Sequence, residues 1–348
     1  AHGHGEAPIH AGVHEVRQSR SGRAPAGAPG LSAPAESDDA TATALLTIDL
    51  AALAGNYRAL RELGSPAECA AVVKADAYGL GMAEVAPALA RTGCKTFFVA
   101  TLGEAAELRA LLPDATIYVF GGLLKDTGPV YRELGLRPVL NSAAEIEEWA
   151  AFCSAARAKL PAAIHIDSGM NRLGLSADEV ASLARAKGLL NAFELTLLVS
   201  HLACADEPDH TKNDMQRRTF DSLRAKLPKA PASLANSAGI LLGRAYHYDL
   251  VRPGIALYGG KTSRTRADSF APVVELAGRI LQVRDVPAGE TVGYGATRAL
   301  KRPSLIATLA VGYADGFFRS LSVADGKQGL QVYLGPHPAP LLGRVRRG

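Results

Sequence analysis

The chain has 348 residues, of which 48% are hydrophobic and 21% are charged, as in an ordinary water-soluble globular protein. This length accommodates two domains. The formal net charge of +4 is small, and no basic stripe is interleaved with aromatic residues, which argues against a nucleic-acid-binding surface. No run approaches the roughly 18 apolar residues of a membrane-spanning helix, and the four cysteines lack CxxC spacing. We therefore expect a cytoplasmic protein with free, mostly buried thiols.

Residues 1–44 are dominated by Gly, Ala, Pro and Ser and contain no apolar run that could form the core of a signal peptide. Such a segment cannot bury enough apolar surface to offset the entropy lost on ordering. The sequence therefore predicts a disordered tail, and we expect no specific metal site from its scattered histidines.

Residues 45–265 alternate between short β-rich runs and amphipathic segments. Several of these segments open with a Ser or Thr cap near acidic residues and end at Gly or Pro, which are helix start and stop signals. The predicted strands are 45–50, 70–73, 96–100, 116–120, 138–140, 162–166, 195–200, 232–234 and 248–251. Strands that alternate with helices at this spacing predict βαβ units, and about eight units fit a (β/α)8 TIM-type barrel better than a doubly wound sheet.

The alternation stops after a polar, turn-rich linker. Residues 266–348 contain short alternating strands separated by Pro and Gly turns, with no helical pattern. This pattern predicts a separate all-β domain. The strand predicted at 45–50 could also join that β domain.

The first candidate catalytic residue is Lys74, in AAVVKADAYGLG, where an apolar strand runs directly into a lysine. Polar residues at the C-terminal ends of barrel strands point into the active-site face. Burial among apolar neighbours also favours the neutral, nucleophilic amine that forms a Schiff base. A lysine that merely extends its ammonium group into solvent fits this segment equally well.

Further polar residues follow other predicted strands. Arg172 lies in the glycine turn of DSGMNRLG, and His201 follows an apolar strand in SHLACAD. NSAG (236–239), with Ser237, and VRPGIALYGG (251–260) have the serine and glycine content with which a helix start can bind phosphate. Each residue alone is more often structural. However, all would converge on one face of the barrel, because all follow barrel strands.

Together these segments closely resemble the alanine racemase family over residues 45–345, and KADAYG with Lys74 is a specific signature of that family. The resemblance implies an N-terminal (β/α)8 barrel that binds pyridoxal phosphate, a C-terminal β domain, and interconversion of L-alanine and D-alanine. Lys74 would hold the cofactor covalently. The other implied cofactor contacts are Tyr78, Ser237, Gly254 and Ile255 at the phosphate, Arg172 at the phenolic oxygen, and Arg252, supported by a hydrogen bond from His201, at the pyridine nitrogen.

Racemisation needs a base on each face of the α-carbon. The resemblance assigns Lys74 to the D side. It assigns Tyr294, in VGYGATR, to the L side, contributed by the β domain of the partner subunit. It therefore implies a homodimer whose active sites are shared between subunits. Tyr313, in VGYADG, would narrow access and, with Arg172, bind a small substrate such as alanine. The implied role is to supply D-alanine for peptidoglycan or to catabolise it.

The sequence departs from the family in three places. Leu80 stands where many members have His, and His165 stands where some members carry a modified lysine that orients Arg172. After LLGRV the family continues with a Met-Asp pair and several dozen residues, whereas this chain ends in RRG. We therefore expect a truncated β domain that has an unpaired strand edge and lacks some groups that bind the substrate carboxylate and the phosphate.

Three alternatives remain open. One is a racemase of broader amino-acid specificity, although such proteins are usually exported. Another is a decarboxylase of the same barrel class, against which the YGAT and GYADG motifs argue. The last is a catalytically impaired homologue that keeps Lys74 and binds pyridoxal phosphate but turns over poorly. Cofactor binding without turnover would favour the last alternative.

Overall fold

The computed structural model describes residues 41–263, 270–322 and 330–346. These residues form two compact units, one of residues 48–274 and one of residues 41–47 and 275–346. Most of the tail predicted over residues 1–44, part of the predicted polar linker and the last two residues lie outside the described ranges.

Strands and helices alternate through most of the chain and give way to strands alone near its end. The strands are β1 (Ala44–Ile48), β2 (Glu68–Cys69), β3 (Ala71–Val72), β4 (Thr96–Val99), β5 (Thr116–Val119), β6 (Arg137–Leu140), β7 (Pro161–His165), β8 (Glu194–Val199), β9 (Ala232–Ser233), β10 (Leu250–Val251), β11 (Val274–Gly278), β12 (Ile280–Val286), β13 (Thr291–Val292), β14 (Arg298–Ala299), β15 (Ser304–Leu309), β16 (Gln331–Leu334) and β17 (His337–Pro340). The helices are α1 (Leu50–Gly64), α2 (Lys74–Gly79), α3 (Met82–Arg91), α4 (Leu102–Leu111), α5 (Gly128–Glu133), α6 (Ala143–Ala155), α7 (Ala177–Arg185), α8 (Lys187–Leu190), α9 (Lys212–Arg224) and α10 (Ser237–Leu241).

The first unit is a closed ring of parallel strands. Strands β3 to β9 form one sheet in chain order, and β10 pairs in parallel with β2. The ring closes because Arg252, just past β10, bridges in parallel to Asn236, just past β9. Only Ala70 separates β2 from β3, and its N–H donates to the Val251 carbonyl at 3.0 Å. With β2 and β3 counted as one strand, the ring has eight, which confirms the predicted (β/α)8 barrel.

The observed strands coincide with the predicted ones to within two residues at each end, when β2 and β3 are counted as one strand. The strand predicted over 45–50 ends at Ile48, because Asp49 caps α1. The Asp49 carboxylate accepts the N–H groups of Ala51 and Ala52 at 2.8 and 2.9 Å, as an N-cap residue does. The strand predicted over 248–251 begins only at Leu250.

Apolar residues of the barrel strands alternate between its interior and its helix-covered exterior. The interior is filled by Ala70, Val72, Phe98, Tyr118, Val139, Ala163, Leu197, Val199 and Leu250. The Phe98 and Tyr118 rings stack at 4.9 Å. The barrel is therefore a packed core rather than a pore, and ligands must bind at its ends.

The second unit is built from short paired strands. Strand β1 pairs with β11, and β12 with β15, β13 with β14, and β16 with β17 form antiparallel pairs. Several apolar side chains on these strands are exposed, among them Leu281 and Leu305. The predicted change from an alternating α/β pattern to short β-strands is present in the structure.

The four cysteines are free, and most of them are buried. Cys69, Cys94 and Cys153 are buried, and the partly exposed Cys204 is also unpaired. Burial raises the pKa of the Cys94 thiol to about 12, so this thiol is unreactive at neutral pH.

Across the described ranges, every helix is too short or too polar to cross a membrane.

Candidate active site

The site residues predicted in the barrel lie at the C-terminal ends of its strands. Lys74 follows β3, Arg172 lies in the loop after β7, and His201 follows β8. Ser237 opens α10 after β9, and Arg252 follows β10. Charges on Arg252, Arg172 and Lys74 all lower the pKa of His201, which indicates that these groups share one region of space. The barrel brings together residues that are up to 178 positions apart, as the interval from Lys74 to Arg252 shows.

Lys74 opens a turn of left-handed helix. The residues at positions 75–78 have φ values of 54, 51, 54 and 60°, a conformation that costs about 1–2 kcal/mol per residue for L-amino acids. Two carboxylates brace the turn: Glu104 accepts the Ala75 N–H at 2.7 Å, and Asp76 accepts the Met82 N–H at 2.6 Å. The second Glu104 oxygen accepts the Ala100 N–H at 2.7 Å. Glu104 thus fastens the lysine turn to the end of β4.

We expect Glu104→Ala to lower the free energy of unfolding by about 2–4 kcal/mol, because charge-assisted hydrogen bonds to backbone N–H groups of the strained turn are lost. Urea unfolding followed by circular dichroism measures the change. Glu107→Ala, on the exposed side of the same helix, is the matched control. Equal unfolding midpoints for the two variants would show that Glu104 does not brace the turn.

Tyr78 ends the left-handed turn with its hydroxyl against the backbone of Gly254. A Cβ atom at Gly254 would collide with the Tyr78 hydroxyl oxygen, so a glycine is required there. The Tyr78 ring lies 4.9 Å from that of Tyr258, whose hydroxyl donates to the Val72 carbonyl at 3.0 Å. Burial raises the pKa of Tyr78, so its phenol stays protonated and can donate a hydrogen bond at neutral pH.

Ser237 is buried beside the same backbone segment. Asn236 caps α10 by accepting the Gly239 N–H at 2.8 Å, and this cap fixes the start of the helix. The Ser237 hydroxyl oxygen accepts the N–H groups of Gly254 at 2.9 Å and Ala256 at 3.2 Å. Two donors satisfy this oxygen, which leaves the hydroxyl proton free to donate to a ligand.

The Gly254 N–H, which we expected at the phosphate, is therefore already used by Ser237. Ile255 begins a 3-10 helix (Ile255–Tyr258), so its N–H has no acceptor within that helix. Three donors are therefore available to an anion at this place: the hydroxyls of Tyr78 and Ser237 and the Ile255 N–H.

Arg252 is a buried cation held by uncharged acceptors. Its Nε donates to the Ser233 hydroxyl at 2.8 Å, and its Nη2 donates to the carbonyls of Ser200 and Leu234. Its guanidinium carbon lies 5.9 and 5.8 Å from the ring centroids of Phe98 and Phe120. Burial lowers the pKa of Arg252 to about 10, so the side chain remains charged at neutral pH. Within the described residues Nη1 has no hydrogen-bond partner, which leaves its two N–H groups for a ligand.

His201 is close to Arg252 but is not joined to it by the expected hydrogen bond; all the hydrogen bonds recorded for Arg252 go to other groups. The His201 carbonyl is held instead, since it accepts from Gln216 Nε2 at 2.9 Å. Burial, followed by the charge of Arg252, lowers the pKa of His201 to about 3. The imidazole is therefore neutral at neutral pH.

His165 is a second neutral histidine, and its tautomer follows from its neighbours. Asn141 Nδ2 donates to the Phe120 carbonyl at 3.0 Å, so Asn141 Oδ1 is the amide atom that faces His165. That oxygen lies 2.8 Å from His165 Nδ1 and can only accept, so Nδ1 carries the proton. Burial, followed by the charge of Arg252, lowers the pKa of His165 to about 4. Its Nε2 is therefore a bare acceptor at neutral pH.

Because these two histidines are neutral in the folded protein, we expect acid to destabilise it. Unfolded histidines take up protons as the pH falls through about 6.5, whereas the folded rings do so only near pH 4 and 3. Each ring should lower the free energy of unfolding by about 1.4 kcal/mol per pH unit between these limits. Urea unfolding at pH 6.5 and 4.5 should show a shallower pH dependence for the doubly substituted His165→Gln/His201→Gln protein. His337→Gln, at an exposed position, should keep the wild-type slope; equal slopes in all three proteins would contradict the assignment.

Arg172 projects from a loop that Asp167 organises. The Asp167 carboxylate accepts the N–H groups of Gly169, Met170 and Asn171 at 2.8–3.2 Å. Arg172 itself is exposed and makes no hydrogen bond with the described residues. Its guanidinium is therefore available to a carboxylate or a phenolic oxygen.

The other two predicted site residues lie in the second unit. Tyr294 begins a 3-10 turn (Tyr294–Ala296) between β13 and β14, and its side chain is 67% exposed. The guanidinium carbon of Arg346 lies 4.2 Å from its ring centroid. Tyr313 begins another 3-10 turn and is also exposed. The motif around Tyr294 was evident in the sequence, but Arg346 gave no sign of its proximity to that ring.

A lysine follows the first strand of an eight-stranded barrel, and a buried arginine and a set of anion-binding donors lie at the same end. This arrangement defines a class of barrel enzymes that also have a C-terminal β domain. The chain matches the alanine racemase N-terminal domain over residues 48–262 and the alanine racemase C-terminal domain over residues 273–346. It therefore belongs to the alanine racemase family, which confirms the resemblance seen in the sequence.

Individual relatives agree with this assignment. The chain is 50% identical over 302 residues to an alanine racemase of Methylobacterium nodulans, with 87% of this chain and 80% of the relative covered. It is 47% identical over 321 residues to that of Brucella ovis, with 88% and 80% covered. Among solved structures, it is similar to an alanine racemase from Bartonella henselae with covalently bound pyridoxal phosphate, at a TM-score of 0.81 and 40% identity, with 88% and 84% of the two chains covered.

Proposed function

We propose that this chain racemises alanine with pyridoxal phosphate as cofactor, using Lys74 and Tyr294 as the two bases. The observation that carries the proposal is the position of Lys74 at the barrel end, where its charge, like those of Arg252 and Arg172, lowers the pKa of His201. The chain also matches both domains of the alanine racemase family. A lysine that merely reached into solvent would not need a strained turn braced by Glu104.

The residues of the barrel fit the cofactor chemically. The Lys74 amine would bind its aldehyde carbon, and the hydroxyls of Tyr78 and Ser237 and the N–H of Ile255 would hold its phosphate. The free Nη1 of Arg252 would donate to its pyridine nitrogen, and Arg172 would contact its phenolic oxygen. Bound in this way, pyridoxal phosphate would supply the electron-withdrawing group that makes the α-proton of an amino acid removable.

Arg252 would keep the pyridine nitrogen unprotonated, because a guanidinium with a pKa of about 10 retains its proton at neutral pH. This limits electron withdrawal by the ring and disfavours side reactions that need a stronger electron sink. His165 and His201 are neutral and add no competing charge beside it.

The proton transfers would involve Lys74 and Tyr294. The Tyr294 oxygen would take the α-proton from L-alanine, and the Lys74 amine would take it from D-alanine. Arg172 would hold the substrate carboxylate, and Tyr313 would restrict access to small side chains. We propose that Tyr294 acts in the active site of a partner subunit, so that the enzyme is a homodimer with shared sites.

We further propose a cytoplasmic enzyme that supplies D-alanine for peptidoglycan or catabolises it. The experiment that tests the activity is D-alanine formation from L-alanine by the purified chain with added pyridoxal phosphate. Turnover would support the racemase. Cofactor bound through Lys74 without turnover would favour the impaired homologue, and comparable turnover of larger amino acids would favour the broader racemase.

A further inference from the structure

Arg346 lies over the ring of Tyr294, and its side chain has no other polar partner among the described residues. The guanidinium carbon is 4.2 Å from the ring centroid. Its Nε atom is buried and makes no hydrogen bond within the described part of the chain. No carboxylate in that part forms a salt bridge with it. Its positive charge therefore acts mainly on the aromatic ring.

The backbone around Arg346 is fixed by its own unit. The Arg346 carbonyl accepts the Tyr313 N–H at 3.1 Å, and the Val345 N–H donates to the Ser322 hydroxyl at 2.9 Å. Val345 is buried. The backbone that carries the Arg346 side chain is therefore fixed by the fold of this unit.

A cation over an aromatic ring is attracted to the electron-rich face of that ring. The attraction becomes stronger when the phenol loses its proton, because a full negative charge then faces the guanidinium. The contact covers one face of the ring, while Tyr294 remains 67% exposed overall. The phenolic oxygen can thus reach a substrate while the ring is held from one side.

We propose that Arg346 is a positioning residue for Tyr294, which holds its ring and stabilises the phenolate that receives the α-proton. This inference rests on the proposed function of Tyr294 as the L-side base. In that step the Cα–H bond of L-alanine breaks and an O–H bond forms on Tyr294, while the electron pair stays on the substrate. Arg346 gains and loses no proton. In the opposite direction Tyr294 returns the proton to carbon.

The contact predicts a directional effect on proton transfer. Without the cation, the Tyr294 step becomes slower relative to the Lys74 step in both directions. The primary isotope effect measured with α-deuterated L-alanine should therefore rise, and that with α-deuterated D-alanine should fall. A variant that had merely lost folded protein would change neither isotope effect. We expect kcat of Arg346→Met to fall roughly two- to thirtyfold, the range expected for a cation–ring contact.

The experiment compares Arg346→Met, Arg346→Lys and Arg302→Met in the full chain. Arg346→Lys keeps the charge and should retain isotope effects close to those of the wild type. Arg302→Met removes an exposed arginine of the same unit and should change nothing. Independently of turnover, the carbon-13 ring signal of Tyr294, assigned by its loss in Tyr294→Phe, should shift in Arg346→Met but not in Arg302→Met.

Unchanged isotope effects and an unchanged ring signal in Arg346→Met would overturn the inference while leaving the role of Tyr294 intact. Undiminished racemisation by Tyr294→Phe would instead overturn the two-base assignment, and the inference with it. If the chain does not racemise alanine, the proposed function fails, and the inference that rests on it fails as well.

Discussion

Replacing Lys74 with alanine is expected to lower kcat/KM for alanine by at least roughly 10⁴-fold, the upper range for one general base, because the same amine would also hold the cofactor. Two measurements check this. One is the formation of D-alanine from L-alanine. The other is borohydride reduction in the presence of pyridoxal phosphate, which should leave the cofactor permanently attached to the peptide that contains Lys74.

The matched control is Lys125→Ala, which removes an exposed lysine of the same barrel. It should keep both the turnover and the reduced cofactor adduct. If Lys74→Ala still gave a stable adduct on another peptide and retained turnover, Lys74 would not be the cofactor lysine. The effect of the Lys74 charge on the pKa of His201 would then be that of a structural lysine close to the site.

Tyr294→Phe is expected to lower kcat by roughly 10²–10⁴-fold, because it removes the oxygen that would exchange the proton on the L side. The ring and its contact with Arg346 remain, so cofactor binding and folding should be unchanged. Tyr333→Phe is a close control, since Tyr333 lies in the same unit and is also 67% exposed. Undiminished turnover in Tyr294→Phe would refute the two-base assignment.

The shared site proposed for the homodimer can be tested by mixing these variants. A dimer of one Lys74→Ala subunit and one Tyr294→Phe subunit would contain one intact site if each site combines residues of both subunits. Random mixing should therefore restore about one quarter of the wild-type activity, because half the dimers are mixed and each has one of its two sites intact. No restoration, despite subunit exchange shown by differently tagged chains, would mean that each subunit supplies both bases itself.

The cationic character of the barrel site suits an anionic cofactor and the carboxylate of an amino-acid substrate. Arg252 keeps its charge although it is buried, because carbonyls and the Ser233 hydroxyl satisfy its donors. His165 and His201 are neutral, because burial beside the charge of Arg252 disfavours a second cation. The site therefore concentrates positive charge on Arg252 and Arg172, which would contact the pyridine nitrogen, the phenolic oxygen and the substrate carboxylate.

Local sequence patterns predicted the order of the strands and helices and the position of Lys74 at a strand end. Apolar runs of strand length alternate with capped amphipathic segments, and this periodicity reflects burial, which acts locally on each element. The barrel followed from that alternation, and the position of Lys74 followed from the direct passage of an apolar strand into a lysine. The KADAYG signature then indicated the family, which the matches over residues 48–262 and 273–346 confirmed.

The contacts that hold these residues in place, by contrast, were found only in the folded structure. Glu104 had the sequence position of a helix-capping residue, yet its carboxylate also binds the N–H of Ala75 in the lysine turn, 29 residues away. The proton on His165 Nδ1 depends on Asn141, and the ring of Tyr294 on Arg346. Hydrogen-bond partners and ring contacts between distant residues depend on where the packed elements bring them in space, which no local pattern of residues specifies.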